Sequence, residues 1–158
     1  MEPTSEQLVM YGQPSSARML AWSWVQAQLE AAGTYWVIAR GPGHPHPRPV
    51  WGVWHANVLH LSVGSPIVAS SLDVDPLVTV HLGSDTDVVI VEGRVTGRGA
   101  DAAVVGRYDE KYDWRYDVDV YGPLTAIAPL TVLAWRSTGW AGRDGFEASG
   151  RWRFTGAP

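Results

Sequence analysis

The 158-residue chain contains no cysteine. This absence excludes disulfide scaffolds, cysteine-bearing zinc sites, iron–sulfur clusters and thiol nucleophiles. Nor is there an apolar run near the roughly 20 residues that cross a bilayer, and the opening MEPTSEQ lacks a secretory pattern. A soluble, cytoplasmic protein without a membrane partner is expected. Lys and Arg number 12 against 16 Asp and Glu and form no cluster. A chain of formal net charge -4 with no basic patch is poorly equipped to neutralise nucleic-acid phosphates, so no nucleic-acid partner is expected. Serine is plentiful, but no G-x-S-x-G elbow occurs to support a hydrolase triad, and no residue is assigned as catalytic. A small molecule is the partner these absences leave.

Tryptophan is what the chain has in excess, with nine. Indoles bury large apolar area and usually need a partner for the ring N–H, so they collect in cores, at subunit interfaces and around flat ligands. The length suits one domain with one core. That domain is assigned to residues 1–158, with its core at 18–154 and 1–17 as a poorly ordered N-terminal extension.

The periodicity predicts a mainly β protein with a few helices, a barrel or sandwich. SWVQAQLEAAG reads as a helix over about 24–32, with Ser23 as N-cap, Gln26 completing a capping box and Gly33 as the left-handed stop. Strands are predicted at 34–40, 46–54 as the second arm of a hairpin, 58–62, 77–82, 88–96, 125–135 with a break at Pro129, and 150–154. His55-Ala56-Asn57 makes a turn. Helices are predicted near 66–73 and 101–112, the latter with Asp101 as N-cap.

Two stretches carry candidate chemistry. In VGSPIVASSL (63–72), Gly64 permits a tight turn, Ser65 can cap and Pro66 suits a first helical position. The bare amides of such a helix start can seat a phosphate, with the Ser70 and Ser71 hydroxyls adding neutral bonds; an ordinary helix cap looks the same. The segment has no Lys or Arg. A helix terminus offers an anion about 0.3–1 kcal/mol, against roughly 1.5–3 kcal/mol for a hydrogen bond to a charged group, so a phosphate here needs a cationic helper. In HPHPRPVWGVW (44–54), Arg48 is that helper, stiffened by neighbouring prolines and able to grip phosphate with two parallel bonds. Alternation places His46, Arg48 and Val50 on one face and Pro47, Pro49 and Trp51 on the other. The same residues also read as an edge strand guarded by proline, with Arg48 in a surface ion pair. No metal site is assigned. His44 and His46 lack further ligands at suitable spacing, and the three D-x-D pairs sit in turns where Asp serves the backbone.

WSWVQAQLEAAGTYWVIAR, RPVWGVW, VLHLSVG, LDVDPLVTVHL, DVVIVEGRVT and the terminal RWRF, in this order over about Arg18 to Phe154, resemble the pyridoxamine 5'-phosphate oxidase-like family of split β-barrel flavoproteins. More narrowly, they look like its actinobacterial branch of flavin- and deazaflavin-dependent reductases. The resemblance implies a six-stranded split barrel, FMN-binding in type, working as a homodimer. FMN or the deazaflavin coenzyme F-420 would lie in a groove between subunits and exchange hydride with a small-molecule substrate. It implies that His46, Arg48, Pro49 and Val50 flank the ring, and that Ser62, Gly64, Ser65, Ser70 and Ser71 form the phosphate side. Trp152 would cover the ring, and Arg151 or Arg153 beside it, from across the dimer, would compensate for cations missing at the phosphate side. Where relatives read S-R-K-A-R-N-L, this chain reads Pro66-Ile67-Val68-Ala69-Ser70-Ser71-Leu72, without the cationic grip. A divergent barrel holding haem or another flat ligand without redox activity is the alternative, with His46, His55 and His60 as axial candidates. Pyridoxamine phosphate oxidation itself is disfavoured, because a second phosphate needs yet more cations.

Overall fold

Period-two alternation builds most of the molecule. In Leu77–Leu82, the side chains of Val78, Val80 and Leu82 are buried while those between them face outward, and Tyr35–Arg40 buries Tyr35, Val37 and Ala39 in the same way. The computed structural model describes residues 2–137 and 143–156; the extreme ends of the expected domain, residues 1 and 157–158, lie outside the described residues. In chain order the elements are β1 (Thr4–Glu6), β2 (Val9–Met10), β3 (Gln13–Pro14), β4 (Arg18–Met19), α1 (Trp22–Ala31), β5 (Tyr35–Arg40), β6 (Pro45–Val50), β7 (Gly52–His55) and β8 (Val58–Leu61). There follow α2 (Pro66–Val74), β9 (Leu77–Leu82), β10 (Asp87–Gly99), α3 (Ala102–Tyr112), α4 (Val118–Tyr121), β11 (Leu124–Arg136) and β12 (Ala148–Arg153).

The fold is mainly β, and the main sheet is antiparallel apart from short β4, which runs parallel beside β12. One path through it runs β7-β8-β11-β10-β9-β5-β6. Its two end strands follow one another in the chain, separated by Trp51 alone. Inside lies one core, including Val37, Val80, Leu59, Leu61, Val89, Val91, Ile127 and Val132. Helix α1 contributes Val25 and Leu29 to it and α2 contributes Val68 and Leu72. A satellite cluster joins Val53 to Val104 and Tyr108 of α3 and to Tyr116 and Leu124. No helix among the described residues is long and apolar enough to cross a membrane.

Several local expectations change. Helix α1 starts at Trp22 with Ala21 as an N-cap that makes no side-chain bond, so Ser23 lies inside the helix. Trp22 touches the rings of Trp54, Trp152 and Phe154, and its burial outweighs the capping preference. The helix ends at Ala32 in extended conformation, and Gly33 is not left-handed. The expected strand 46–54 is two strands broken at Trp51, because β7 turns away to pair with β8. Gly52 makes this possible: a Cβ there would fall 2.5 Å from Leu61 Cδ2 and 2.6 Å from the His60 carbonyl. Strand β11 runs through Pro129 unbroken. The register passes from Glu92 opposite Thr131 to Gly93 opposite Pro129, leaving Leu130 extra, so a bulge absorbs the proline. Thr4–Glu6 pairs with Arg153–Arg151, and the Ser15 amide bonds back to the Leu8 carbonyl. The turn at Ala56-Asn57 is formed with both residues left-handed. Asp101 caps α3, accepting from the amides of Ala103 and Val104 at 2.9 and 3.2 Å.

Candidate functional site

The residues expected to form one site fall in three places. His46, Ser70 and Ser71 lie where α2 meets the β5–β6 turn. His46 is 6% exposed, and a Cβ on Gly41 would fall 2.5 Å from its ring and 2.7 Å from Ser71 Oγ. Both serine hydroxyls bond to the Ile67 carbonyl, Ser71 at 2.6 Å and Ser70 at 3.2 Å. In this state both donors are engaged by the helix itself. Arg48 and Pro49 are exposed on β6 while Val50 is buried beside them; His46, Arg48 and Val50 alternate along the strand, opposite Ala39, Val37 and Tyr35 of β5. Arg48 Nη1 donates to the neighbouring Pro47 carbonyl at 2.7 Å. Strand β6 pairs with β5 alone among the described residues, which is the proline-guarded edge foreseen as the other reading of this stretch.

Trp152 is at the third place. At 1% exposed it belongs to the core, with its ring centroid 5.6 Å from that of Trp22. This corrects its assignment to a ring-covering role, because an indole enclosed on every side has no face left for a ligand. Arg151 and Arg153 are drawn to Glu6 at 3.3 and 2.8 Å. Other cations near the expected phosphate seat are also paired. Arg40 meets Asp75 at 2.6 Å and Arg98 meets Asp73 at 2.7 Å, both flanking α2.

What the tertiary structure assembles instead is an aromatic corner beside Ser62. The break at Trp51 leaves its indole 44% exposed, stacked on Tyr112 at 4.6 Å with the planes within 3°. Trp114, 46% exposed, stands at 82° to Trp51 with centroids 6.3 Å apart. Tyr121 extends the wall from Trp114, 6.4 Å away. The Trp51 carbonyl accepts from the Ser62 amide at 2.9 Å, and the Ser62 hydroxyl meets the Tyr116 hydroxyl at 3.4 Å. The corner therefore adjoins the loop through Gly64 and Ser65 into α2. Ser65 makes no side-chain cap bond.

Why the chain folds this way is local. Asp101 starts α3, and Asp113 ends it in left-handed conformation, turning Trp114 out of the helix. Asp109 accepts the Tyr116 amide at 2.7 Å, and Asp117 caps α4. Tyr108, Tyr112 and Tyr116 form the second layer, with Tyr108 4.9 Å from Tyr112 and 4.8 Å from Tyr116. Burial pushes the Tyr108 phenol up to about 12 and raises that of Tyr112. At neutral pH both remain uncharged donors. The corner offers two ring faces at a right angle, and beside them a hollow of about 600 Å3 lined by Arg115, Tyr116, Asp117 and Tyr121. Such a surface recognises flat apolar area before charge. Reading the sequence strand by strand missed Trp51, Trp114 and Tyr121; the tryptophan count was the only signal for them.

The described residues contain no group of three or more His, Asp or Glu side chains placed to hold a metal ion. His60, half-buried on β8, has its pKa lowered by burial.

Comparison with solved structures identifies the architecture. An FAD-binding protein from Mesorhizobium loti superposes with a TM-score of 0.55 over 89% of this chain and 100% of its own, at 14% identity. An F-420 reductase gives 0.56 over 75% and 97%, at 15% identity. A Listeria innocua protein assigned as a pyridoxamine 5'-phosphate oxidase gives 0.57 over 71% and 95%, at 18% identity. The chain has the pyridoxamine 5'-phosphate oxidase-like fold. No protein-family model matches the sequence, and no curated protein does either. Within this fold the aromatic corner is built from the strand break at Trp51 and from the 112–121 segment that follows α3.

Proposed function

We propose that this chain is a flavin-type oxidoreductase that binds FMN or coenzyme F-420 as a cytoplasmic homodimer and exchanges hydride with a small molecule. In this reading β6 and β7 count as one strand bent at Trp51, and the path β8-β11-β10-β9-β5-β6/β7 is a six-stranded split barrel. The observation that carries it is the exposed right-angle pair Trp51–Trp114 on a fold shared with an FAD-binding protein and an F-420 reductase.

The residues fit the two halves of such a cofactor unequally. The ring is well provided for, because a tricyclic system stacks on one indole while its edge meets the other. The tail is less well served. Ser62, Gly64 and Ser65 present a hydroxyl and backbone amides, but the cation that should join them, Arg48, is bonded to its own Pro47 carbonyl. Binding then requires Arg48 to exchange that bond for phosphate, and affinity rests more on ring area than on charge. When bound, the coenzyme supplies the hydride chemistry. The chain's own work is to stack the ring and keep water from its buried face.

Titration of the pure protein with each coenzyme, followed by fluorescence, tests this reading. Saturable binding of one of them, weakened about tenfold or more in Trp51→Ala and less in Arg48→Ala, is the expected result. No binding of either at millimolar concentration refutes it. A Soret band that persists in purified protein and shifts on replacing His46, His55 or His60 would instead establish the haem alternative.

A further inference from the structure

Lys111 is the sole lysine of the chain, and it does not extend into solvent. From the last turn of α3 its Nζ donates to the Tyr35 hydroxyl at 2.9 Å and to the Gly52 carbonyl at 3.0 Å. It lies 4.8 Å from the Tyr35 ring centroid and 5.4 Å from that of Tyr112. Tyr35 gives its own proton to the Leu29 carbonyl, and the Tyr112 hydroxyl is occupied with the Gly33 and Gly52 carbonyls. The partners of Nζ are therefore neutral oxygens and ring faces. Among the described residues no carboxylate lies within ion-pair distance of it.

An ammonium has three protons, and two here are spent on the protein wall. Lys111 also lines a cavity of about 320 Å3 with Glu30 of α1, Val53 and Trp54 of β7, and Arg107 and Glu110 of α3. Burial without a paired anion disfavours the charged form, and it brings the Lys111 pKa down to about 8. A substantial neutral fraction at physiological pH is what converts a lysine into a nucleophile.

We propose that Lys111 is a carbonyl-reactive amine that condenses with a small uncharged aldehyde held in this cavity. The Nζ lone pair forms a bond to the carbonyl carbon while the carbonyl oxygen takes up a proton. The nitrogen releases one proton to give the neutral carbinolamine, whose hydroxyl takes up a second proton and leaves as water, and the resulting iminium nitrogen gives up its last proton. Amine and aldehyde become imine and water, with no oxidant or reductant required. Glu30 and Glu110 are the lining groups able to carry those protons. Once Lys111 is neutral they outnumber Arg107, which disfavours an anionic aldehyde, and Val53 with Trp54 supplies an apolar wall for an alkyl chain. This site is independent of the coenzyme reading.

The test uses the full chain without coenzyme, incubated with propionaldehyde and cyanoborohydride, with alkylation sites mapped by peptide mass spectrometry. The expected result is labelling of Lys111 at pH 7.5 at least about tenfold faster in the folded chain than in the same chain in denaturant, where an ordinary lysine is almost fully protonated. The rate should rise through a midpoint at about 8. Tyr35→Phe, which removes one acceptor of the ammonium, shifts that midpoint, whereas a purely structural lysine would show only a changed melting temperature. Labelling confined to the chain's α-amino group, or no faster at Lys111 in the folded than in the denatured protein, overturns the proposal.

Discussion

Two groups of tryptophans face opposite conditions in this molecule. Trp22, Trp54 and Trp152 meet edge to face and tilted, with Phe154, at the foot of α1. There Trp152 is fully enclosed and Trp54 nearly so. Trp51 and Trp114 make equally well-formed ring contacts, yet each keeps nearly half its surface open. The first group removes apolar area from water within the chain and so contributes to folding. The second leaves that area available to something else. The same residue type thus supports stability in one place and keeps an exposed ring face in the other, and the distinction lies in what covers the second face of the ring.

That contrast can be broken by mutation. The largest effect is expected for Trp152→Ala, which should cost about 3–5 kcal/mol in chemical denaturation, as large-to-small changes in a close-packed core do. A loss below about 1 kcal/mol would mean that the indole is not held as described. Trp51→Ala should lower stability far less, by about 0.5–1.5 kcal/mol for its stack on Tyr112, while reducing coenzyme binding about tenfold or more. Equal effects of the two substitutions on stability would erase the comparison.

A finer contrast concerns the starts of α2 and α3. Asp101→Ala should cost about 1 kcal/mol, measured by thermal or urea unfolding, because its carboxylate holds two amides of the helix carrying Tyr112 and Lys111. Ser65→Ala should be nearly silent, since Ser65 makes no cap bond to α2. The smallest effect is in pH dependence. Lys111 is lowered to about 8 from an unfolded value near 10.5. Above about pH 8 the unfolded chain therefore binds more protons, and stability should rise with pH toward about 10. Beyond that, Tyr35 and Tyr108, both raised by burial, hold protons that the unfolded chain releases, and the trend should reverse. Melting temperatures from pH 7 to 11 should show this rise and fall, and Lys111→Met should flatten the rising limb.

Local pattern made much of the fold legible. LVTVHL alternates over the bounds of β9, Asp101 marks the start of α3, and Ala56-Asn57 marks a turn. The period-two rule failed at Trp51, where Gly52 allows a close approach that ends one strand and begins the next. It failed again at Pro129, where Gly93 across the ladder accepts the bulge. The site was less legible than the fold. Ser70 and Ser71 read as free hydroxyls until their helix closed on them, and Arg48 read as a free cation until it folded onto Pro47.

By itself the sequence determined the strand and helix segments, their turns and the exclusion of thiol chemistry, because those depend on neighbours a few residues apart. The tertiary structure alone decided which indoles are enclosed and which cations are already spoken for. Arg153 meets Glu6 across 147 positions of chain, Tyr112 reaches Gly52 across 60, and Lys111 reaches Tyr35 across 76. Pairings of that range arise only when the sheet closes, since desolvation and partnering act on atoms brought together in space and leave no periodic trace along the chain.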